Sequence, residues 1–354
     1  MLHVALAGLL AGSLALSPPD GTGDDKKAPN ADKPAPEAVA TPGVFEAAQA
    51  PQSITVDTYA QGRPAAEAPI KLWVQYAYGN ANEIYDRRGE SQDLTFAGGT
   101  REAVSQRVQV GGQINFISFP RFRFGVGGQL NIAKNELNVV SGDALSVGDL
   151  ESDFGLQSVK VYGTLRGQTL GLHGGYSFDL GNEQEFGEPV VALGGARLPT
   201  NLSNSDNRDA IFFGADFDYP SERFRLFGGI DYYMLQTPDE GSRDAEENLD
   251  NDDFLNFAAG AGVKFGFVEL GAAAQIQTRF DQPTLRNVGA TSGIGSHVGS
   301  VVPYLRLSPP SLPASLYIKG ATPDEYFEYG YPIGGANTVK ANIGFTVGLA
   351  VGFQ

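Results

Sequence analysis

Cysteine is absent from the 354 residues, which removes disulfide scaffolds, thiol catalysis and Cys-ligated zinc together. Histidine is nearly absent, with 3 in the chain. Basic side chains are in deficit: 25 Lys and Arg stand against 41 Asp and Glu, a net charge of −16. Phosphate binding needs a clustered basic surface, so nucleic acid is excluded as a partner. Beyond residue 20 no stretch approaches the roughly 18 apolar residues of a membrane-crossing helix. Glycine, by contrast, is abundant at 46 residues, against a usual share of ~7%, and lacks the triplet period of collagen. With 42% apolar residues the chain is not wholesale disordered.

The first segment is an apolar run from Val4 to Leu16 with small residues at its end. Ser13-Leu14-Ala15 fits the small-x-small cleavage pattern, so residues 1–16 are expected to be a secretory signal, although the only polar residue ahead of the run is His3 rather than Lys or Arg. From Ser17 to Pro69 the chain is rich in Pro, Ala and charge and has neither a helical nor a strand period. That composition reads as a disordered tether, with a plug or a partner-binding segment as the alternative. Val44 to Ala50 is long enough for a turn or two of helix, which is marginal in isolation.

From residue 70 onward apolar and polar residues alternate. Phe122, Phe124, Val126, Gly128, Leu130 and Ile132 share one face, and Arg123, Gly125, Gly127, Gln129 and Asn131 share the other. A helix would not segregate them so, because only a strand has period 2. Twelve such stretches are expected, at 70–79, 102–117, 121–134, 156–166, 169–180, 209–219, 223–236, 254–265, 267–280, 296–308, 314–321 and 338–354. Short links alternate with long ones (80–101, 135–155, 181–208, 237–253, 281–295 and 322–337). Long loops therefore gather at one end and tight turns at the other, and the fold expected is all-β: a closed antiparallel up-and-down barrel with both termini at the tight-turn end.

Charge placement decides which face is greasy on purpose. The apolar faces carry no Lys, Arg, Asp or Glu in a strand interior, and Lys134 falls only at a strand's end. The opposite faces hold Lys71, Arg107, Arg123, Lys160, Arg225, Lys264, Arg279, Arg306, Lys319 and Lys340, with Asp179, Asp216, Asp218, Asp231 and Glu269. Strands near ten residues, tilted about 45°, match an apolar band of ~25 Å. Aromatic residues cluster at the ends of the apolar stripes: Phe116, Phe122, Tyr219, Phe224, Phe265 and Phe353 near the tight turns, and Tyr78, Phe178, Tyr232, Phe257 and Phe280 toward the long loops. Such rings form girdles at headgroup level. The final stretch places Thr346, Gly348, Val351 and Phe353 in a polar-x-Gly-x-x-apolar-x-aromatic order, ahead of Gln354.

On these features residues 70–354 resemble the bacterial outer-membrane β-barrels, with Gln354 a departure from their usual terminal aromatic. The resemblance implies a transmembrane barrel in the outer membrane with the lipid bilayer as its surroundings. It also implies a periplasmic position for the tether and a last strand read by the barrel-assembly machinery through Thr346, Gly348, Val351 and Phe353. It is specific for architecture and silent on substrate.

In such a barrel the polar face lines the lumen. Eight strands leave room for side chains or one small ligand and sixteen leave an aqueous channel, so twelve lies between. Inward glycines at 111, 125, 127, 171, 175, 214, 229, 260, 262, 271, 344 and 348 are expected to leave space, and the long basic side chains to fill part of it. The leading expectation is a narrow passive pore for small solutes. Ten basic against five acidic inward residues leaves +5 there, which favours anions, and −21 on the rest of a chain of −16, so that acidic loops at the mouth oppose them. The competing expectation is that inward Arg and Asp pair and plug the lumen, making a structural envelope barrel whose tether and loops bind cell-wall or surface-layer components.

Catalysis is not expected, and no cofactor is called for. His173 lies between inward Gly171 and Gly175, where a wall residue is the plainer reading than a base, and His297 beside Ser296 and Ser300 lacks any wider motif of outer-membrane phospholipases. Asp250, Asp252 and Asp253 sit in the most acidic loop, which lacks the Gly and terminal Glu of a calcium loop and reads as solvated rather than as a metal site. Tyr326, Phe327, Tyr329 and Tyr331 crowd another long loop, to pack on neighbouring loops, fold into the pore mouth or contact a surface partner.

Overall fold

The computed structural model describes residues 68–353 apart from 86–90, 97, 119–121, 144–145, 182–185, 191–195, 203–208, 237–252, 280–296, 322–326, 329–337 and 341–342. The expected signal and nearly all of the tether lie outside the described residues. Twelve long strands make the wall: β1 Ile70–Ala81, β2 Gly99–Ser118, β3 Arg123–Ser141, β4 Gly155–Arg166, β5 Leu170–Asp179, β6 Ala210–Pro220, β7 Phe224–Leu235, β8 Phe254–Phe265, β9 Val268–Arg279, β10 His297–Leu307, β11 Ala314–Ala321 and β12 Ile343–Phe353. Each pairs antiparallel with its sequence neighbours, and β12 returns to β1 from Ile70↔Phe353 to Asn80↔Ile343. Closure removes the sheet edge, which matters because an unpaired backbone group in hydrocarbon costs several kcal/mol.

The wall is inside out relative to a soluble domain. Leu72 and Val74 of β1, Val126 and Leu130 of β3, Phe213 and Phe217 of β6, and Leu316 and Ile318 of β11 are exposed, while their neighbours Lys71, Gln75, Gln129, Asn131, Asp216 and Lys319 are buried. Apolar atoms thus face outward on every side, the arrangement of a barrel whose solvent is lipid. Phe116, Phe122, Tyr219, Phe224, Phe265 and Phe353 are exposed at the tight-turn end, and Phe178 and Phe257 toward the loop end. At the tightest turn, Gly266 takes φ +63°, which a side chain would resist.

Three departures from simple alternation occur near the loop end. The β2–β3 ribbon rises past the apolar band, with Thr100 opposite Ser141. Its outward face there carries Glu102, Lys134 and Glu136, and Lys134 Nζ pairs with Glu136 (2.9 Å) and Glu151 (2.7 Å). Periodicity places the strand ends at 102 and 134 because outward charge ends the lipid-facing stripe; the hydrogen-bonded ladder does not end there. Thr338–Lys340 joins Glu83–Tyr85 and Ser91–Asp93 in a separate three-stranded sheet. The single last strand expected at 338–354 is therefore two segments, since alternation does not specify a pairing partner. Finally, the register shift between Asn131 and Ile132 leaves Gln157 of β4 as an extra residue, buried beside Ser158, as a bulge re-aims a side chain.

A clamp holds the loop after β3. Arg101, fully buried, donates from Nη1 to the Gly148 carbonyl (2.6 Å) and from Nη2 to Asp143 Oδ1 (2.9 Å). Asp143 in turn accepts from the backbone N–H of Gly148 (2.8 Å) and Val147 (3.1 Å). The Gly148 and Val147 amides and the Arg101 guanidinium hold the Asp143 carboxyl below its ordinary value, outweighing desolvation. A carboxyl lowered in the folded state adds stability above its unfolded pKa and loses it as pH falls through the folded one. Acidification below about pH 4 is therefore expected to release this loop. Intrinsic-rate-corrected amide hydrogen exchange at Val147 and Gly148 should accelerate there, and Asp143→Asn should abolish the pH dependence; protection that stays flat into acid in the wild type refutes it.

Candidate functional site: the inner wall of the barrel

The inner wall is built hairpin by hairpin. In each pair of strands joined by a long loop, an inward aromatic residue stands directly opposite an inward glycine: Trp73↔Gly111, Tyr162↔Gly127, Phe212↔Gly175, Phe227↔Gly260, Tyr304↔Gly271 and Tyr317↔Gly348. In all but the Phe212 pair the ring occupies the place where a Cβ on that glycine would stand; Gly175 is instead filled by the Val161 carbonyl and the Tyr162 backbone. Glycine is required here by close approach, the cross-strand use known as aromatic rescue. The rings also meet one another: Phe212 stacks on Tyr233 with centroids 5.4 Å apart, and Phe227 lies 5.9 Å from Tyr304. The expectation that inward glycines leave open space is thus corrected at Gly111, Gly127, Gly260, Gly271 and Gly348, where they seat rings. It is corrected equally at Gly171, which seats the Asp216 carboxylate, and at Gly214, which seats His173 and Asp231.

One consequence is a belt of side-chain hydrogen bonds. The Tyr317 ring crosses Gly348 so that its hydroxyl donates to Gln75 Oε1 in the next strand (2.7 Å). Gln75 Nε2 donates to Gln109, Gln109 Nε2 to Asn131 Oδ1 (2.9 Å), and Asn131 Nδ2 to Ser158 Oγ (2.8 Å). These residues form one row of the ladder from β11 to β4. Buried amides with mutual partners reinforce one another, whereas an orphan would cost about 1–3 kcal/mol.

Across the barrel the wall is ionic. Arg225 forks onto Asp218 through Nε (2.8 Å) and Nη2 (2.9 Å), and its Nη1 lies 3.8 Å from Glu269. Glu269 also accepts from Arg306 and from the Tyr304 hydroxyl (2.8 Å). Arg166 reaches Asp216 at 2.8 Å, and His173 bridges Asp216 (Nδ1, 3.6 Å) and Asp231 (Nε2). All of these but Arg166 are buried. The charges match in sign and geometry as paired buried ions must.

Lys71, Lys160, Arg225, Arg306, Lys319, Asp216, Asp218, Asp231 and Glu269 are buried, and Arg107, Arg123 and Lys264 are half-buried. Lys71 Nζ sits 5.2 Å from the Trp73 ring centroid and Lys160 Nζ 5.4 Å from that of Tyr233, whereas Lys264 Nζ donates to the Ser221 carbonyl (3.0 Å). The side chains of Arg279, Lys340 and His297, together with Ser296, Asp250 and Asp252, lie outside the described residues. Asp253 accepts from Tyr232, and no metal-ligand group of three acidic or imidazole residues occurs among the described residues. On β12, Thr346 is buried, Gly348 seats the Tyr317 ring and Phe353 is exposed. Sequence reasoning missed Arg101 and Arg166, which sit at strand ends, and the inward aromatics. The latter were visible as rings interrupting otherwise polar faces.

A closed antiparallel sheet with an apolar exterior, terminal aromatic girdles and a polar interior defines a transmembrane β-barrel. No protein-family model matches the chain, and no curated protein matches it in sequence. Solved structures match in fold. An outer-membrane channel from Pseudomonas putida F1 has a TM-score of 0.58 at 11% identity, covering 83% of this chain and 98% of its own. The beta domain of the Bordetella autotransporter BrkA scores 0.45 at 12% identity over 80% and 100%. The transport unit of autotransporter AIDA-I from Escherichia coli scores 0.43 at 13% over 81% and 91%.

Proposed function

We propose that the protein is a narrow passive pore for small solutes that favours anions, with residues 17–69 as a periplasmic tether. The observation that carries the reading is the polar inner face of a lipid-embedded twelve-stranded wall, whose girth exceeds that of barrels filled by side chains alone. The surplus of inward Lys and Arg supports the preference, since fixed charge in a confined path attracts counter-ions. The fold shared with a protein named as an outer-membrane channel is consistent with it. A second reading, a closed structural barrel whose tether and loops bind wall or surface-layer components, draws on the same ring, amide and ion-pair networks, which narrow the lumen. Purified protein in planar bilayers is expected to give steady current steps with a chloride-favouring reversal potential. Protein that inserts yet passes no steady current, with or without residues 17–66, overturns the pore and leaves the structural barrel.

A further inference from the structure

We infer that residues 38–67, the inner end of the tether, lie within the lumen and set its bore. The inference rests on the pore reading above and deepens it by naming what narrows the path, leaving residues 17–37 as the periplasmic tether. Inward side chains on each of the twelve strands are buried, among them Gln75 and Gln109 (2% exposed each) on one side and Asn256 (1%) and Asp231 (0%) on the other. Water in an open lumen would reach them. Yet the wall's own rings do not span the bore: at five of the six joints the ring lies in the Cβ space of the glycine opposite it, against the wall. The amide belt likewise runs from strand to strand along the wall rather than across it. Twelve strands enclose more than such side chains fill, so the burial calls for further chain in the middle.

Where the described chain begins identifies that chain. Inward Asn115, near the tight-turn end of β2, donates from Nδ2 to the Ala68 carbonyl (2.7 Å), and its backbone N–H donates to the Pro69 carbonyl (2.7 Å). Asn115 is itself fixed by Gln113 Nε2 (2.8 Å), which also reaches Thr164 Oγ1 (3.2 Å). Ala68, buried, thus meets β1 from the lumen side at that mouth. Residues 38–67 reach at most roughly 100 Å when extended, and a lumen walled by strands tilted about 45° is only about 30 Å deep. Length is therefore ample. Composition suits the wall as well: residues 38–62 carry Glu46 and Asp57 and no Lys or Arg. The inward positions of the contiguous strands β11, β12, β1, β2, β3 and β4 hold Lys71, Arg107, Lys160 and Lys319 and, among the described residues, no carboxylate. Opposite formal charge on segment and wall fixes which side it follows. Phe45, Ile54, Val56 and Tyr59 offer apolar surface to the rings.

Because the chain has no cysteine, an introduced one is its only thiol. Gln129→Cys, on the inner wall where Gln129 is 7% exposed, is expected to resist a membrane-impermeant maleimide in the full folded barrel and to react once residues 38–66 are deleted. Val56→Cys in the otherwise intact chain should be protected until the barrel is unfolded. Single-channel conductance in planar bilayers should rise on the order of twofold or more with the deletion. Heat-modifiable gel mobility reports folding; if the deletion does not fold, replacing residues 38–62 with a Gly-Ser repeat of equal length should raise labelling and conductance in the same direction. Equal reactivity of Gln129→Cys with and without the segment, or immediate labelling of Val56→Cys in the folded barrel, overturns the inference. A measurable conductance unchanged by the deletion does so too, and assigns the filling to loops or side chains. Two proteins that insert and pass no current overturn the pore reading instead, and the labelling, which needs no current, still decides whether the segment lies inside.

Discussion

Glu269→Ala is expected to destabilise the barrel by about 3–5 kcal/mol, the usual cost of breaking a buried ionic pair from one side. Glu269 accepts from Arg306 and from the Tyr304 hydroxyl, and it lies 3.8 Å from Arg225 Nη1. Without it the buried guanidinium groups of Arg225 and Arg306 lose the carboxylate they share, while Arg225 keeps its fork onto Asp218. Glu269→Gln should lose less, because an amide oxygen still accepts. Urea unfolding in lipid vesicles, followed by the mobility difference between folded and unfolded barrels, measures this. Equal losses for the alanine and glutamine variants, or a loss below about 1 kcal/mol for alanine, would show that the cluster is solvated and carries little energy.

Gly348→Val should be nearly as damaging. The branched side chain would occupy the space now filled by the Tyr317 ring, and overpacking of this kind costs about 1–3 kcal/mol. Displacing the ring also withdraws the hydroxyl from Gln75, so a buried amide oxygen loses its donor. Tyr317→Phe isolates the second part and should cost about 0.5–1.5 kcal/mol. Combining Gly348→Val with Tyr317→Ala should recover part of the loss, because the space is then shared. If the double variant is as unstable as the sum of the singles, the ring and the glycine are not coupled.

The strands and their orientation were legible because lipid imposes period 2 with an uncharged outer stripe, as in Ile343 to Phe353 or Phe124 to Ile132. Lumen chemistry was less legible. That Gln75 meets Gln109, or Tyr317 meets Gly348, depends on register between strands separated by long loops, and alternation is blind to register. The inward glycines illustrate the limit: read one strand at a time they are vacant space, and only the neighbouring strands reveal the ring, carboxylate, imidazole or backbone that fills it. Outer charge at Glu102 and Lys134 misplaced two strand ends for a different reason, since pairing continues where the membrane stops.

Five of the ring-on-glycine joints fall inside strand pairs connected by long loops, while Phe217 against Gly228 and the Tyr304 hydroxyl against Gly262 join one such pair to the next. The pairs are fastened to one another as well, by Tyr317 to Gln75, Gln109 to Asn131, Arg166 to Asp216 and Arg225 to Asp218. Gaining or losing two strands in a wall of this kind would sever joints on the flanks of the pair, so circumference and local architecture are tied together in its design.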